Sequence, residues 1–384
     1  MFFYRLGHIQ DLSLAEFASK NSLKNSKYDK HFLLDKIDFD IKLAGGFVYG
    51  GEILGKINTP DDIAQILADL YELKPSKKLG ISILTEFNPK NLISLAHEIG
   101  FKKINLINDR EPNAGHFKDI DDWLVIFEFY GEVFAGLITQ SADQDIFSKL
   151  DTSLPGGNMK RGKMNLKLAL CLLNLSQNSD VKYFWDPFCG QGGIILIDLL
   201  FNQKPMIATD LERSAIKDLR LNLDWFKENF PRENEVTKVL HIEKLNAESL
   251  AKSSLDSNIK GVVRKTDQKF DFTKTAIVTE GYLGPTYNRS VPVLSDLNKT
   301  LDVIELLWQK CLAEAQILGI PEIVFCLPAY KYKPNDILRI DLDNVVKNTS
   351  YKVDTILPGK YFVDYSRPHS FVIHQIQRVY LDID

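Results

Sequence analysis

The sequence predicts an α/β protein with a mostly parallel sheet in its C-terminal half. Three observations predict this class. Strand-like and helix-like segments alternate from residue 181 onward, as they do where crossover helices join parallel strands. A glycine-rich turn separates the first strand from its helix within 182–200. The last two strand-like segments, 351–357 and 371–381, have no long helix between them, which indicates an antiparallel pair that closes the sheet.

Composition limits the kinds of protein that the chain can be. A chain of 384 residues is long for one core, so two domains are expected. The net charge of -4 shows no overall excess of basic residues. The four cysteines contain no C-x-x-C pair. Neither a signal peptide nor an apolar stretch of about 18 residues is present. We therefore expect a cytoplasmic protein with no membrane span and no metal site.

Residues 1–138 alternate short strands and helices and contain no recognisable catalytic cluster. The pattern predicts a strand at 2–7, a helix opening at Ser13 with Glu16 at the capping-box position, and a hairpin that turns at Gly131. We interpret this α+β region as a substrate-binding domain; a structural or oligomerisation domain is the alternative, and a monomer is favoured. A polar linker is expected at 139–164, and the second domain at 165–384.

The elements of the second domain follow in order. Asn165 is expected to cap a helix that ends near Ser176, and the polar stretch 248–270 reads as an exposed insertion. Parallel strands are expected at 182–185, 206–210, 238–243, 275–280 and 322–327.

The glycine turn indicates a ligand site. In open α/β sheets, ligands bind beyond the carboxyl ends of the strands. Asp186 ends the first strand, Gly190 and Gly192 follow it, and Asp210 ends the second strand. A carboxylate there suits a ribose diol. The third glycine of the dinucleotide fingerprint would fall at Ile195, so a cofactor with a ribose but no pyrophosphate fits better.

S-adenosylmethionine meets that description. Asp186 or the adjacent backbone would receive its ammonium group, the glycine backbone would lie along its methionine part, and Asp210 would hold the ribose. Asn246, after the third strand, would accept from the adenine amine. The candidate cofactor-binding residues are Asp186, Phe188, Cys189, Gly190, Gly192, Asp210, Leu211, Asn246 and Ala247.

These residues resemble a known family. The segment DPFCGQGG, 186–193, resembles the D-P-x-C-G-x-G-T motif of class I S-adenosylmethionine-dependent RNA methyltransferases, most of all the tRNA guanosine N2-methyltransferases with an N-terminal THUMP-type region. Segments 4–17, 159–176, 208–223 and 365–381 are also similar. The resemblance implies a Rossmann-like class I methyltransferase sheet preceded by an RNA-binding region, and methylation of an exocyclic guanosine amine in tRNA.

The chain departs from the family pattern at two positions. It has Asn246 where the family has Asp. On the fourth strand, the family's Asp/Asn-Pro-Pro-Tyr/Phe turn is replaced by TEGYLGP, 279–285. Either Thr279 or Glu280 could take the place of Asp/Asn. We favour Glu280 as the acceptor of the substrate amine and Tyr282 as the aromatic side chain that stacks on the base; ordinary strand-end and packing roles are the alternative.

A short basic segment is the candidate contact to the RNA substrate, which we expect to be tRNA. Lys160, Arg161 and Lys163 could hold phosphates, and a solvated charge cluster is an equal alternative. Two other functions stay open: a DNA N-methyltransferase, and a non-catalytic RNA-binding relative that keeps the fold.

Overall fold

The chain forms two compact units in a computed structural model. The division places Met1–Phe17 and Asn21–Lys149 in the first unit, and Ala18–Lys20 and Leu150–Asp384 in the second. No helix within the described part of the chain is long and apolar enough to cross a membrane. The residues that the structure describes are 1–73, 78–86, 89–107, 120–157, 163–202, 204–230, 239–250, 271–285, 292–333 and 336–382.

The first unit contains a mixed sheet of eight strands. In chain order its elements are β1 (Phe2–Leu6), α1 (Gln10–Lys20), β2 (Lys27–Tyr28), β3 (Phe32–Asp35), β4 (Phe47–Ile57), α2 (Pro60–Leu73), β5 (Lys78–Leu84), α3 (Pro89–Ile99), β6 (Lys103–Leu106), β7 (Asp122–Phe129) and β8 (Glu132–Ser141). The strand order is β2-β3-β1-β4-β8-β7-β5-β6. Neighbouring strands are antiparallel except β5, which is parallel to β6 and to β7.

The start of α1 corrects one sequence expectation. The helix begins at Gln10 rather than at Ser13. The Ser13 hydroxyl donates to the Gly46 carbonyl at 2.5 Å, and the fully buried Glu16 carboxylate accepts the Gly45 and Gly46 amides at 2.8 and 2.7 Å. The predicted capping box is therefore wrong, because both side chains bind the loop before β4. The predicted hairpin is confirmed: β7 and β8 are joined at Gly131, whose φ is 76°.

Part of the predicted linker is regular structure. The end of β8 and a helix, α4 (Gln144–Ser153), lie within 139–164. Most of the helix surface is polar, but Phe147 and Leu150 are buried. Two apolar positions three residues apart lie on one helix face, and this spacing is the signal for a helix in an otherwise polar stretch.

The second unit contains a nine-stranded sheet. Its elements after α4 are α5 (Leu166–Leu175), β9 (Tyr183–Asp186), α6 (Gly193–Phe201), β10 (Met206–Asp210), α7 (Arg213–Asn229), β11 (Val239–Lys244), β12 (Thr275–Thr279), α8 (Leu294–Ile317), β13 (Glu322–Lys333), β14 (Asp336–Arg339), α9 (Leu342–Val346), β15 (Tyr351–Val353), β16 (Phe362–Tyr365) and β17 (Val372–Leu381). The main order is β11-β10-β9-β12-β13-β17-β15, with β14 on β13 and β16 on β17.

This sheet confirms the predicted fold class. Strands β9 to β13 pair in parallel, and β17 is antiparallel to both β13 and β15. The predicted cap of α5 is also confirmed, because the Asn165 side chain accepts the Lys167 and Leu168 amides at 2.9 and 3.1 Å. Residues 251–270, most of the predicted insertion, lie outside the described residues.

The core of this unit forms where α8 packs on the sheet. Trp308 of α8 and Trp185 of β9 are both fully buried, and the Trp308 ring lies 4.3 Å from that of Phe325 in β13. The Trp185 indole donates to the Thr209 hydroxyl at 3.0 Å, which joins β9 to β10. Burial of such large rings stabilises the sheet beneath the strand ends where ligands are expected.

Candidate functional site

Four strand ends meet at one edge of the second sheet. Strands β11, β10, β9 and β12 are neighbours in that order and run in the same direction. Asp186, Asp210 and Thr279 are the last residues of β9, β10 and β12, and Asn246 follows β11 by two residues. The structure thus brings together the strand-end residues that the sequence places in the site.

The turn after β9 needs glycine at two positions. Gly190 and Gly192 have φ values of 51° and 91°, in the region that L side chains rarely adopt. A Cβ on Gly192 would lie 2.3 Å from the Leu219 Cδ1 atom, whereas one on Gly190 would meet no atom closer than 4.0 Å. Gly192 therefore allows α7 to pack closely, and Gly190 leaves open space over the backbone for a ligand.

Asp210 holds this turn against β10. One carboxylate oxygen accepts the Gly190 amide at 2.9 Å and the other accepts the Glu212 amide at 2.8 Å. A carboxylate at this strand end is the kind of group that accepts from the hydroxyls of a ribose diol. The sequence predicts the ligand role, but the bond to Gly190 is visible only in the structure. Leu211, the next residue, is 58% exposed.

Asp186 lies in an environment that disfavours its charge. Burial raises the pKa of this carboxyl to about 7. Hydrogen bonds from the Thr279 hydroxyl and the Phe188 amide oppose that shift, and the nearby Asp210 and Glu280 carboxylates add to it. The Phe188 amide lies 3.1 Å from the Asp186 oxygen. A cationic ligand at this edge would restore the ionised form.

Cys189 takes part in the turn through its backbone. Its amide donates to the Thr209 carbonyl at 3.0 Å, and its carbonyl accepts the Gly192 amide at 2.8 Å. Burial raises the pKa of its thiol well above the usual range, and a thiol in that state is a poor nucleophile. Phe188 packs on Trp308, with ring centroids 5.5 Å apart.

The turn after β12 distinguishes Thr279 from Glu280. Thr279 is fully buried; its hydroxyl accepts the Gly281 amide at 3.1 Å and is bonded to Asp186. The Glu280 side chain is 23% exposed and accepts from His374 Nε2 at 2.9 Å. Of these two residues, therefore, only Glu280 presents a polar side chain toward solvent. Tyr282 is 43% exposed.

Gly281 is a residue whose role the sequence analysis missed. Its φ is 74°, and a Cβ there would lie 2.7 Å from the Trp308 ring. The tight turn over a buried indole thus requires glycine. His374 was also missed as a site residue, although it lies in the 365–381 segment that carries part of the family resemblance.

Asn246, the residue predicted to contact adenine, caps a short turn after β11. Its amide oxygen accepts the Glu248 amide at 3.0 Å, so it caps a short helical turn, 247–249. Glu248 in turn bonds to Lys310 of α8 at 2.9 Å, and Ala247 is buried. The carbonyl oxygen of Asn246 has a second lone pair for an adenine amine.

Of the predicted phosphate contacts, only Lys163 falls on the described residues; Lys160 and Arg161 lie outside them. The Lys163 ammonium donates to the carbonyls of Leu150 and Asp151 near the end of α4. It also lies 3.5 Å from the Asp151 carboxylate. Lys163 is thus bonded to the C-terminal part of α4, and its side chain is 35% exposed.

Within the described residues, no group of His, Cys, Asp and Glu side chains is arranged to hold a metal ion. The residues present do fit S-adenosylmethionine. Asp186 is a buried carboxyl that a cation would stabilise in its charged form, Gly190 leaves room for a close approach, and Asp210 ends β10 with a carboxylate of the kind that binds a diol.

Comparisons with known proteins concern the family and the fold of this chain. Residues 158–255 match the model of the RMKL-like methyltransferase domain. A probable tRNA (guanine(10)-N2)-dimethyltransferase from Methanothermococcus thermolithotrophicus is 31% identical over 113 residues, which are 29% of this chain and 64% of that protein. The matched region thus spans less than two thirds of that relative.

Similar folds occur among solved structures. TrmN from Thermus thermophilus aligns with a TM-score of 0.53 at 13% identity, over 99% of each chain. A possible methylase from Clostridium difficile 630 aligns with a TM-score of 0.48 at 10% identity, over 100% of this chain and 98% of that one. The first of these confirms the predicted architecture over the whole chain. The match to the methyltransferase model confirms the resemblance seen in the sequence and, with it, S-adenosylmethionine as the cofactor.

Proposed function

We propose that this chain, whose residues 158–255 match the RMKL-like methyltransferase domain model, methylates RNA, and that its substrate is the exocyclic amine of a guanosine in tRNA. The observation that carries the proposal is the place of Glu280. It directly follows β12, beside the strand that ends in the cofactor turn. Its carboxylate is partly exposed, so it can accept a hydrogen from an amine brought to the cofactor.

Two further observations favour an RNA substrate. The relative from Methanothermococcus thermolithotrophicus is named for the N2 atom of a guanine in tRNA. The first unit, Met1–Phe17 with Asn21–Lys149, is a complete α+β body with its own core. We assign to it the task of gripping a part of the folded RNA away from the reacting base.

The reaction needs a positioned amine more than it needs a strong base. When bound, S-adenosylmethionine supplies a methyl group on a sulfonium, so that the amine lone pair forms the N–C bond while the C–S electron pair returns to sulfur. Holding the two reacting atoms in line lowers the barrier without further chemistry. Asp186, Gly190 and Asp210 would hold the donor in that position.

Glu280 would act on the acceptor. The lone pair of an exocyclic amine is delocalised into the ring, and a carboxylate that accepts one amine hydrogen directs that lone pair toward the methyl group. The proton that the nitrogen releases after transfer would pass to the Glu280 carboxylate and then to solvent, which this side chain reaches. Tyr282 would stack on the base once it has left its helix.

Methyl incorporation from labelled S-adenosylmethionine into fractionated tRNA, rRNA and DNA tests the proposal. We expect label in tRNA, recovered as N2-methylguanosine after digestion. Label mainly in DNA would support the DNA methyltransferase alternative. Cofactor binding without label in any fraction would support the non-catalytic alternative. Either result would overturn the proposed substrate.

A pair of matched variants tests the role of Glu280. The Glu280→Gln change should lower single-turnover methylation about 100-fold, the scale for loss of one preorganised polar contact, with S-adenosylmethionine affinity unchanged. Glu243→Gln is the control, because Glu243 also pairs with a histidine Nε2 at 2.9 Å in the same sheet. Equal rates for Glu280→Gln and wild type would remove Glu280 from the reaction.

A further inference from the structure

We propose that His374 is a positioning residue that sets the orientation of the Glu280 carboxylate toward the substrate amine. This inference rests on the proposed function of Glu280. It concerns a residue on β17, far along the chain from the strand ends that form the cofactor site.

The geometry joins the two side chains closely. His374 Nε2 lies 2.9 Å from Glu280 Oε1. The His374 side chain is 15% exposed and that of Glu280 is 23% exposed, so water competes little for this bond. Among the described residues, no hydrogen bond reaches the second oxygen, Oε2. The histidine therefore occupies one side of the carboxylate and leaves the other for a ligand.

The donor in this bond can be assigned. An ionised carboxylate only accepts hydrogen bonds, so the proton of the imidazole lies on Nε2. The other ring nitrogen, Nδ1, is buried and has no partner among the described residues. The bond to Glu280 is thus the sole polar interaction that fixes the ring within the described part of the chain, and no second acceptor draws the Nε2 proton away.

The sheet holds the imidazole in place. His374 lies opposite Pro328 of β13 and opposite Tyr365 of β16 in the strand register. The Tyr365 ring packs edge-on against the imidazole, with centroids 5.5 Å apart and planes at 74°. A central strand with neighbours on both sides moves little, so the ring is a rigid reference for the mobile end of Glu280.

This arrangement has a chemical consequence. A glutamate side chain after a strand end has three rotatable bonds, and without a fixed partner its carboxylate samples many directions. With Oε1 held by His374, Oε2 has one favoured direction in which to accept an amine hydrogen. A displacement of a catalytic group by about 1 Å can lower the reaction rate about 100-fold. The loss of this bond should therefore lower the rate of methyl transfer.

Three variants of His374 test the proposal on the full chain. His374→Phe keeps a ring against Tyr365 but removes the donor, and should lower single-turnover methylation of tRNA about 10- to 100-fold. S-adenosylmethionine affinity and the KM for tRNA should stay within about twofold of wild type. His374→Gln keeps an N–H donor and should recover most of the rate, while His374→Leu should behave like His374→Phe.

His241→Phe is the matched control. His241 Nε2 also bonds to a glutamate, Glu243, at 2.9 Å, with comparable burial of 16% and 32% for the two side chains. This pair lies on β11 and has no role in the proposed reaction. We expect His241→Phe to leave the methylation rate unchanged, which would show that loss of a histidine–glutamate bond in this sheet is not in itself harmful.

A double variant separates positioning from a purely structural role. If His374 acts through Glu280, then His374→Phe should add no further loss in a Glu280→Gln background. Additive losses, or a His374→Gln variant as slow as His374→Phe, would overturn the inference. If Glu280→Gln alone keeps the wild-type rate, the proposed function of Glu280 fails first. If Glu280→Gln is slow but His374→Phe is not, only the inference fails.

Discussion

Lowering the pH from 7 to 6 is expected to weaken the binding of S-adenosylmethionine about fivefold, because Asp186 must be ionised to hold the cofactor's ammonium group. Burial raises the pKa of this carboxyl to about 7 in the free protein. With that pKa, about half of the molecules carry the charge at pH 7 and about one in eleven at pH 6. The ratio of these fractions gives the expected change in affinity.

Titration calorimetry at pH 6.0, 6.5 and 7.0 measures this directly. Runs in buffers with different ionisation enthalpies should also show that binding releases a proton at pH 6. The Asp186→Asn variant is the control: its side chain does not ionise, so its weaker affinity should change little over the same range. Equal wild-type affinities at pH 6 and 7 would refute the reasoning, as would an unchanged pH dependence in Asp186→Asn.

The same shift also affects the stability of the free protein, and its sign can be worked out. The folded pKa of about 7 lies above the ordinary aspartate pKa of 3.8, so the folded state binds the Asp186 proton more tightly than the unfolded state does. The contribution of this group is therefore most favourable below about pH 4 and is lost as the pH rises to 7. The difference between the folded and unfolded pKa values corresponds to a loss of up to about 4 kcal/mol in the free energy of unfolding as the pH rises. In denaturant titrations, Asp186→Asn should largely remove this pH dependence.

Three more outcomes are expected. Asp210→Ala should weaken S-adenosylmethionine binding by about 1.5–3 kcal/mol, the scale of hydrogen bonds to a charged group, and should also expose the Gly190 amide to hydrogen exchange; equal affinity would remove Asp210 from the site. Gly192→Ala should lower the free energy of unfolding by about 2–4 kcal/mol, since its Cβ would lie 2.3 Å from Leu219; an unchanged denaturation midpoint would contradict the packing argument. A 150–384 fragment should fold by circular dichroism and bind S-adenosylmethionine like the full chain, but bind tRNA at least about tenfold more weakly in gel shifts; equal tRNA binding would leave the first unit without the role proposed for it.

The sequence was sufficient to place the parallel strands of the second unit and the residues at their carboxyl ends. Strands that are buried on both sides read as short apolar runs, and glycine and aspartate at their ends mark where the chain must turn and where polar groups can meet. The predicted strand at 206–210 coincides with β10 (Met206–Asp210). Local patterns of this kind depend on neighbours along the chain, which a sequence displays directly.

The start of α1 shows where such patterns fail. A serine followed three residues later by a glutamate predicts a capping box, yet Ser13 and Glu16 bind the loop before β4 instead. The expected bonds would use backbone amides at the helix start, whereas the observed bonds use the Gly45 and Gly46 amides and the Gly46 carbonyl. The choice between them depends on a segment some 30 residues away in the chain, and no local rule includes it.

By itself, the sequence determined the fold class and the cofactor, because these follow from periodicity and from residue types at turns. The strand ends that would receive the cofactor remain a prediction. Only the tertiary structure shows that Thr279 is buried and that the Glu280 side chain is partly exposed, and this difference supports Glu280 as the proposed amine acceptor. It also decided that Asp210 holds Gly190 and that His374 reaches Glu280 across 94 residues of chain. Such contacts arise from the way in which strands distant in the sequence become neighbours in the sheet, and side-chain direction at those points is set by packing rather than by local preference.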